Sequence, residues 1–286
     1  MAERQSQMGR DAAARAPREV RQTRFPVHQS SRRREIEQLV LQRGTVSIAD
    51  LAKAFKVSPM TVHRDLAELE QLGVITRFRG GASAQPSGIF ESSLRYRLSA
   101  MPEEKAALGL AAASLIRPGM SVLLDASTTT LAVVPHLAEL APLTVVTNQL
   151  EILQMTTVME GVRVISLGGE YLRSENCFVG IQCVENLRSL HVDLAFMAVT
   201  AVAGGEVFDL GAEIILIKRA MMACCERSVL LVDHSKFRAK ALLRLARLDE
   251  FGLVITDDGA SDEKIDDLIG RGVDYLLAPV VGSPGR

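Results

Sequence analysis

Apolar residues recur at helical spacing in three short runs near the amino terminus, the period then drops to two, and beyond residue 94 apolar runs alternate with helical stretches. In "RRREIEQLVLQRG", Ile36, Leu39 and Val40 share a helical face and Gly44 ends the run. In "SIADLAKAFKVS", Ser47 and Asp50 have the spacing of a capping box, with Asp in place of Glu or Gln, and Ile48, Leu51, Ala52 and Phe55 form the apolar face of a second helix. After a turn at Lys56 and Val57, Ser58 can cap a third helix whose first residue is Pro59, a position where the missing N–H costs nothing. Val62, Leu66, Leu69 and Leu72 give that helix one buried stripe, and Gly73 suits its end.

With Val62 and Leu66 inward, Thr61, His63 and Arg64 face out or flank the stripe near the amino end of the third helix, the part that a helix-turn-helix presents to the major groove. "VITRFRGGA" alternates as a strand does, with Val74, Thr76 and Phe78 on one face and Ile75, Arg77 and Arg79 on the other; Gly80 and Gly81 permit a tight turn. The pattern predicts a winged helix-turn-helix, polar groups for base edges and an arginine wing for phosphates. A three-helix module for protein contacts would pack the same way, and Arg64 could instead pair with Glu68 on the helix surface.

Downstream, "SVLLD", "LTVVT", "VRVISLGG", "DLAFMAV", "SVLLVD", "LVIT" and "YLLAPV" read as strands, with helices at 131–140, 149–160, 213–225 and 262–270 between them. Alternation of this kind predicts an α/β, Rossmann-like domain with a largely parallel sheet. Ligands of such sheets sit beyond the carboxyl ends of the strands, where the chain places "DASTTT", "TN", "LGGEY" and "DHSKF". Hydroxyls clustered before a helix make an anion site, to which Lys236 adds a charge. The same residues serve equally as caps and turns: Ser127, Thr128 and Asn148 capping helices, Gly168 and Gly169 turning the chain.

At 286 residues and 48% hydrophobic composition the chain can bury a sizeable core. Its charge is uneven: 15 Lys and Arg stand against 9 Asp and Glu through Ser83, and 18 against 25 thereafter, although the whole has a net charge of -1. A basic head on an acidic body fits a polyanionic partner. Cys177, Cys183, Cys224 and Cys225 form neither a zinc nor a redox motif, which predicts a reduced, cytoplasmic protein. No apolar segment is long enough to span a membrane, and residues 1–31, though Arg-rich, lack the apolar core of a secretory signal. The expected organisation is a disordered basic arm at 1–31, a winged helix-turn-helix at 32–83 with its helix-turn-helix at about 48–67, a linker at 84–93 and an α/β domain at 94–286.

The stretch from Arg32 to Ala82 resembles the amino-terminal domain of the DeoR family of transcriptional regulators, matching its recognition helix and wing at Ser58, Thr61, Val62, Arg64, Asp65, Leu66 and Gly80 to Ala82. His63 stands where that family usually has an arginine. The DNA-facing set that the pattern and the resemblance imply is Ser58, Thr61, His63, Arg64, Arg77 and Arg79. The later segments resemble the family's sensor domain, related to ribose-5-phosphate isomerase, which implies an effector that is a phosphorylated sugar or related metabolite. By position, Asp125, Ser127, Thr128, Thr129 and Thr130 fall in its hydroxyl-rich loop, Asn148 in its Thr-Asn, Gly168 and Gly169 in its Leu-Gly-Gly, and Asp233 with Lys236 in its Asp-x-Ser-Lys-Phe. Ala126 and Ser127 replace the usual Ser-Gly of the loop.

The resemblance implies a repressor of carbohydrate metabolism genes that binds double-stranded operator DNA as a homodimer or homotetramer, with the metabolite as effector and no cofactor. The rival is an isomerase-like enzyme with an accessory DNA-binding domain. Its general base would come from Glu170, Glu175, Glu206 or Glu213, none of which lies in a catalytic motif. Glu213 and Lys218 read as part of a surface or inter-subunit helix, and the five histidines have no metal-ligand spacing.

Overall fold

The computed structural model describes residues 32, 33, 35–37, 39, 40, 43, 45–71, 75–84, 94–238 and 242–281. The expected arm, residues 85–93 of the expected linker, and Gly44, Leu72, Gly73 and Val74 lie outside them.

Helical residues between 32 and 43 make α1. They are followed by β1 (Thr45–Ser47), α2 (Ile48–Phe55), α3 (Pro59–Gln71), β2 (Ile75–Phe78) and β3 (Gly81–Ala84). Ile36, Val40, Leu51, Val62, Leu66, Leu69 and Ile75 close one small core. Ser47 caps α2 as its spacing with Asp50 predicts, its Oγ accepting the Asp50 N–H at 3.0 Å. The three strands form an antiparallel sheet in the order β1-β3-β2. Gly80 turns the wing at φ +91, and a Cβ on Gly81 would lie 2.4 Å from the Val46 carbonyl, so the double glycine is what lets β3 lie against β1. The expected two-faced alternation of β2 holds only at its start: Ile75 is buried, but Thr76, Arg77 and Phe78 are all exposed, because the strand leaves the core after one residue.

All seven strands expected downstream form, and they build one parallel sheet in the order β15-β14-β12-β9-β4-β5-β6. Their ranges are β4 (Ser121–Leu124), β5 (Leu143–Thr147), β6 (Val162–Ser166), β9 (Val192–Ala198), β12 (Cys225–Leu231), β14 (Leu253–Asp257) and β15 (Tyr275–Ala278). Alternate residues feed opposite cores: Leu123, Ala195, Met197, Leu230 and Val254 on one face, Val122, Leu124, Phe196, Val229, Leu231 and Ile255 on the other. Covering elements are α4 (Leu94–Ser99), α5 (Pro102–Ala113), α6 (Leu150–Thr156), α7 (Ile181–Arg188), α8 (Ala212–Ala223) and α9 (Asp262–Gly270).

The stretch expected as a helix over 131–140 is instead two 3-10 segments, Thr130–His136 and Ala138–Leu140, with Pro135 inside the first. Proline lacks the N–H that an α-helix would use there. Two small antiparallel additions went unpredicted: the hairpin β7 (Glu170–Leu172) with β8 (Cys177–Val179), and the sheet of β10 (Ala201–Ala203), β11 (Glu206–Asp209) and β13 (Leu243–Arg247). β7, β8 and β10 run three residues, too short for a period-two signal, and β11 and β13 run only four and five.

Chain order fixes where a ligand can enter. From β4 the sheet grows through β5 and β6 on one side, then resumes from β9 through β12, β14 and β15 on the other. The connections therefore diverge between β4 and β9, leaving a crevice at their carboxyl ends.

Candidate functional site

At the amino end of α3, Ser58 Oγ accepts the Thr61 N–H at 3.2 Å and lies 2.9 Å from Thr61 Oγ1, so both hydroxyls take part in the cap. His63 and Arg64 are exposed on the next turn. Asp65 is fully buried and accepts from Arg32 Nε at 2.7 Å and Arg32 Nη2 at 3.1 Å, with the charge of Arg33 in ion-pair range, its Nε at 3.4 Å. Arg33 also engages Glu68, the partner that sequence reasoning offered to Arg64. On the wing, the Arg77 N–H and Nε bond to Glu70 at 3.0 and 2.6 Å, bracing β2 against α3, while Arg79 is exposed. The exposed first turn of α3 and the exposed wing thus stand on a scaffold that ion pairs hold together.

The crevice between β4 and β9 opens into a cavity of about 470 Å³. The loop after β4 contributes Ala126, Ser127, Thr128 and Thr129; the end of β9 contributes Ala198, Val199 and Thr200; and the turn after β12 contributes Asp233, His234, Ser235 and Lys236. Arg97 of α4, Glu104 and Lys105 of α5, Glu175 of the β7–β8 hairpin and Glu37 of α1 also line it. Of the ten effector residues expected from sequence, Ser127, Thr128, Thr129, Asp233 and Lys236 are in the lining.

The other five stand behind it. Thr130 Oγ1 donates to Asp125 Oδ1 at 3.0 Å, and Ser127 Oγ accepts the Thr130 N–H at 3.0 Å, which shapes the loop. Asp125 Oδ2 also accepts the Ala198 N–H at 3.1 Å, stitching the two sides of the crevice. Asn148 Nδ2 holds the Phe178 carbonyl at 2.9 Å. Gly169 takes φ +118, and a Cβ there would meet the Val179 carbonyl at 2.3 Å; Gly168, at φ +60, completes that turn. The helix after the loop is a seven-residue 3-10 segment and not an α-helix, and before it the loop offers the cavity Ser127, Thr128 and Thr129.

Lys218, expected on a surface or inter-subunit helix, is 5% exposed. Its ammonium donates to the Ala198 carbonyl and pairs with Asp209 Oδ2 at 2.7 Å and Asp125 Oδ2 at 3.2 Å. Burial alone would lower its pKa, but the two carboxylates outweigh burial and hold it above the ordinary lysine value; burial likewise opposes ionisation of Asp209, yet Lys218 keeps that carboxyl below its own. The helical spacing of "AEIILIKRAMM" concealed this, since a lysine in an apolar stripe reads as a helix edge.

Lys105 is the cation that sequence reasoning missed: burial pushes its pKa down to about 8, with Asp233 opposing that shift and Lys236 and Arg97 adding to it. His234 Nδ1 lies 2.7 Å from Asp257 Oδ1 and its backbone N–H donates to Oδ2 at 2.7 Å, and this hydrogen bonding raises the imidazole pKa against the effect of burial. With Arg97 paired to Glu175, and Lys218 to its two aspartates, the cavity retains Lys105 and Lys236 as cations and Asp233 and Glu104 as carboxylates. That combination suits a ligand bearing both an anion and hydroxyls. Of the four glutamates weighed as general bases, Glu175 is tied to Arg97, Glu206 pairs with Arg244, and Glu170 and Glu213 are exposed outside the lining.

Residues 32–87 match the DeoR-like helix-turn-helix domain, and residues 100–258 match the DeoR C terminal sensor domain. The chain belongs to the DeoR family of transcriptional regulators. It is similar to the uncharacterized HTH-type transcriptional regulator YgbI of Escherichia coli K12, at 34% identity over 86% of this chain and 97% of that protein. The HTH-type transcriptional repressor GlcR of Bacillus subtilis is 32% identical over 88% of this chain and 97% of its own length. The glycerol-3-phosphate regulon repressor of Escherichia coli K12 is 30% identical over 80% and 91%. Among solved structures, ribose 5-phosphate isomerase A from Methanocaldococcus jannaschii aligns with 46% of this chain and 53% of its own, at 18% identity and a TM-score of 0.34. The exposed turn of α3 lies within the match to the helix-turn-helix domain, and the crevice between β4 and β9 within the match to the sensor domain. The four cysteines are free thiols, and among the described residues no helix is long and apolar enough to cross a membrane.

Proposed function

We propose that this regulator represses genes of carbohydrate metabolism and is controlled by a phosphorylated sugar or a closely related phosphorylated metabolite bound in the cavity between β4 and β9. The observation that carries the reading is the lining itself: three hydroxyls at Ser127, Thr128 and Thr129, and cations at Lys105 and Lys236, share one cavity with carboxylates at Asp233 and Glu104. Cations and hydroxyls suit the phosphate, and carboxylates accept from sugar hydroxyls. The names of the relatives point the same way, one being a glycerol-3-phosphate regulon repressor and another a putative aga operon repressor.

On the DNA side, Thr61, His63 and Arg64 read base edges from the first turns of α3, and Ser58 sets the cap that presents them. Arg79 meets a phosphate directly, and Arg77 does so by exchanging Glu70 for DNA. A two-fold operator requires two readers, so the working species is a homodimer or homotetramer. An effector that prefers the arrangement incompatible with the operator weakens DNA binding through linkage.

A thermal-shift screen of sugar phosphates and their unphosphorylated parents, with and without promoter DNA, tests the reading. A phosphorylated compound at 100 times its Kd should stabilise the protein by about 2.7 kcal/mol. Equal response to the parent sugars, or conversion of the compound to product, would overturn it.

A further inference from the structure

Helix α4 is the first described element after the winged helix-turn-helix, and its Arg97 bonds to the sensor domain at three points. The Arg97 carbonyl accepts from Lys105 Nζ and from Thr128 Oγ1, the latter at 3.3 Å. The Arg97 guanidinium pairs with Glu175 of the hairpin. All four residues line the cavity. The groups that hold the Arg97 carbonyl are therefore groups that an anionic ligand would seek.

Lys105 is 8% exposed, and among the described residues its ammonium donates only to that neutral carbonyl. Asp233 and Glu104 face it as anions and Lys236 and Arg97 as cations, so little net negative charge compensates its burial. A phosphate oxygen is the better acceptor, because a bond between two charged groups is roughly twice as strong as one with a neutral partner. Thr128 has a single hydroxyl proton, and donating it to an anion ends its bond to Arg97.

We infer that an anion in the cavity is held by Lys105 and Thr128 in place of the Arg97 carbonyl, and that effector binding thereby unlatches α4 from the sensor domain. This rests on the anion-binding reading of the cavity and adds how occupancy is passed toward the DNA-binding domain. Lys105 is then both the residue that selects anionic effectors and the residue that reports their arrival. The Arg97–Glu175 pair retains α4 near the hairpin while its carbonyl is released, so the response is a loosening at Arg97 and not a detachment.

Hydrogen exchange of the full chain, read at residues 94–99 with and without inorganic phosphate, tests the inference, with calorimetry reporting phosphate binding in the same buffer. Two hydrogen bonds released should make exchange there about fivefold to tenfold faster when phosphate is bound. Lys105→Met removes one of the two bonds, so without phosphate it should exchange at a rate between those of the free and phosphate-bound protein, and it should lose phosphate affinity and with it the response to phosphate. Phosphate binding that leaves residues 94–99 unchanged or more protected overturns the latch while sparing the anion site, and this comparison needs only the unaltered chain should Lys105→Met fail to fold. Absence of phosphate and sugar-phosphate binding overturns both.

Discussion

Lys218 is a buried cation held by two carboxylates at once. Its ammonium compensates Asp125 and Asp209 together, and Asp125 in turn spans the loop after β4 and the end of β9. Lys218→Met removes the cation and leaves two buried carboxylates facing each other, which should cost about 3 to 5 kcal/mol, read as a shift in the urea midpoint of the sensor domain. His234 gives a pH signature. Its folded pKa is raised above the reference value of 6.5, so the stability it contributes is complete below that value and is lost as pH rises through the folded pKa. The stability difference between the unaltered protein and His234→Gln should therefore be largest below pH 6.5 and shrink as pH rises through the folded pKa. A constant difference across that window would mean that Asp257 holds the ring by shape alone. The cysteines contribute no comparable switch: burial pushes the Cys177 thiol up to about 12 and Cys183 to about 11.

At the scale of elements, Asp65 decides whether α3 is presented at all. It is buried in the middle of the reading helix, and Arg32 and Arg33 reach it from α1, so the first and third helices are joined by charge as well as by Leu66 and Ile36. Asp65→Ala strands part of that pairing and should abolish promoter binding while the sensor domain keeps its own melting transition, which differential scanning calorimetry would resolve. The capped starts of α2 and α3 were legible because Ser47, Ser58 and Pro59 act over three or four residues. The parallel strands were legible as short apolar runs: β5, β9 and β14 are buried on both faces, while β6 and β15 are only partly buried at the sheet edges. The short antiparallel strands and the 3-10 turn were not, since three-residue strands and a proline-broken helix are stabilised by what they touch and not by their own pattern.

For the whole molecule, the uneven charge takes on a mechanical sense. A basic reading head and an acidic sensor are coupled only if each ligand changes the other's affinity, and the two changes must then be equal. Fluorescence titration of promoter DNA at saturating effector, and of effector at saturating promoter DNA, should give the same coupling factor, about 5-fold to 150-fold. Unequal factors would show that binding at one end also changes the assembly state, which a concentration series would expose.

Sequence alone determined the order and kind of the major elements, the winged reading head, and five of the side chains that line the cavity, because capping, periodicity and strand-end position are properties of neighbours along the chain. Tertiary structure alone decided that Asp125 and Thr130 shape the site from behind, that Lys218 is an interior ion, that Asp65 is a clasp, and that Lys105 and Arg97 meet across the cavity wall. Apart from the bonds within the loop after β4, those roles come from partners 8 to 93 positions away, such as Lys105 with Arg97 at 8, Arg97 with Glu175 at 78 and Lys218 with Asp125 at 93. Burial and pairing at that range depend on how the sheet brings its strand ends together, and no local pattern encodes it.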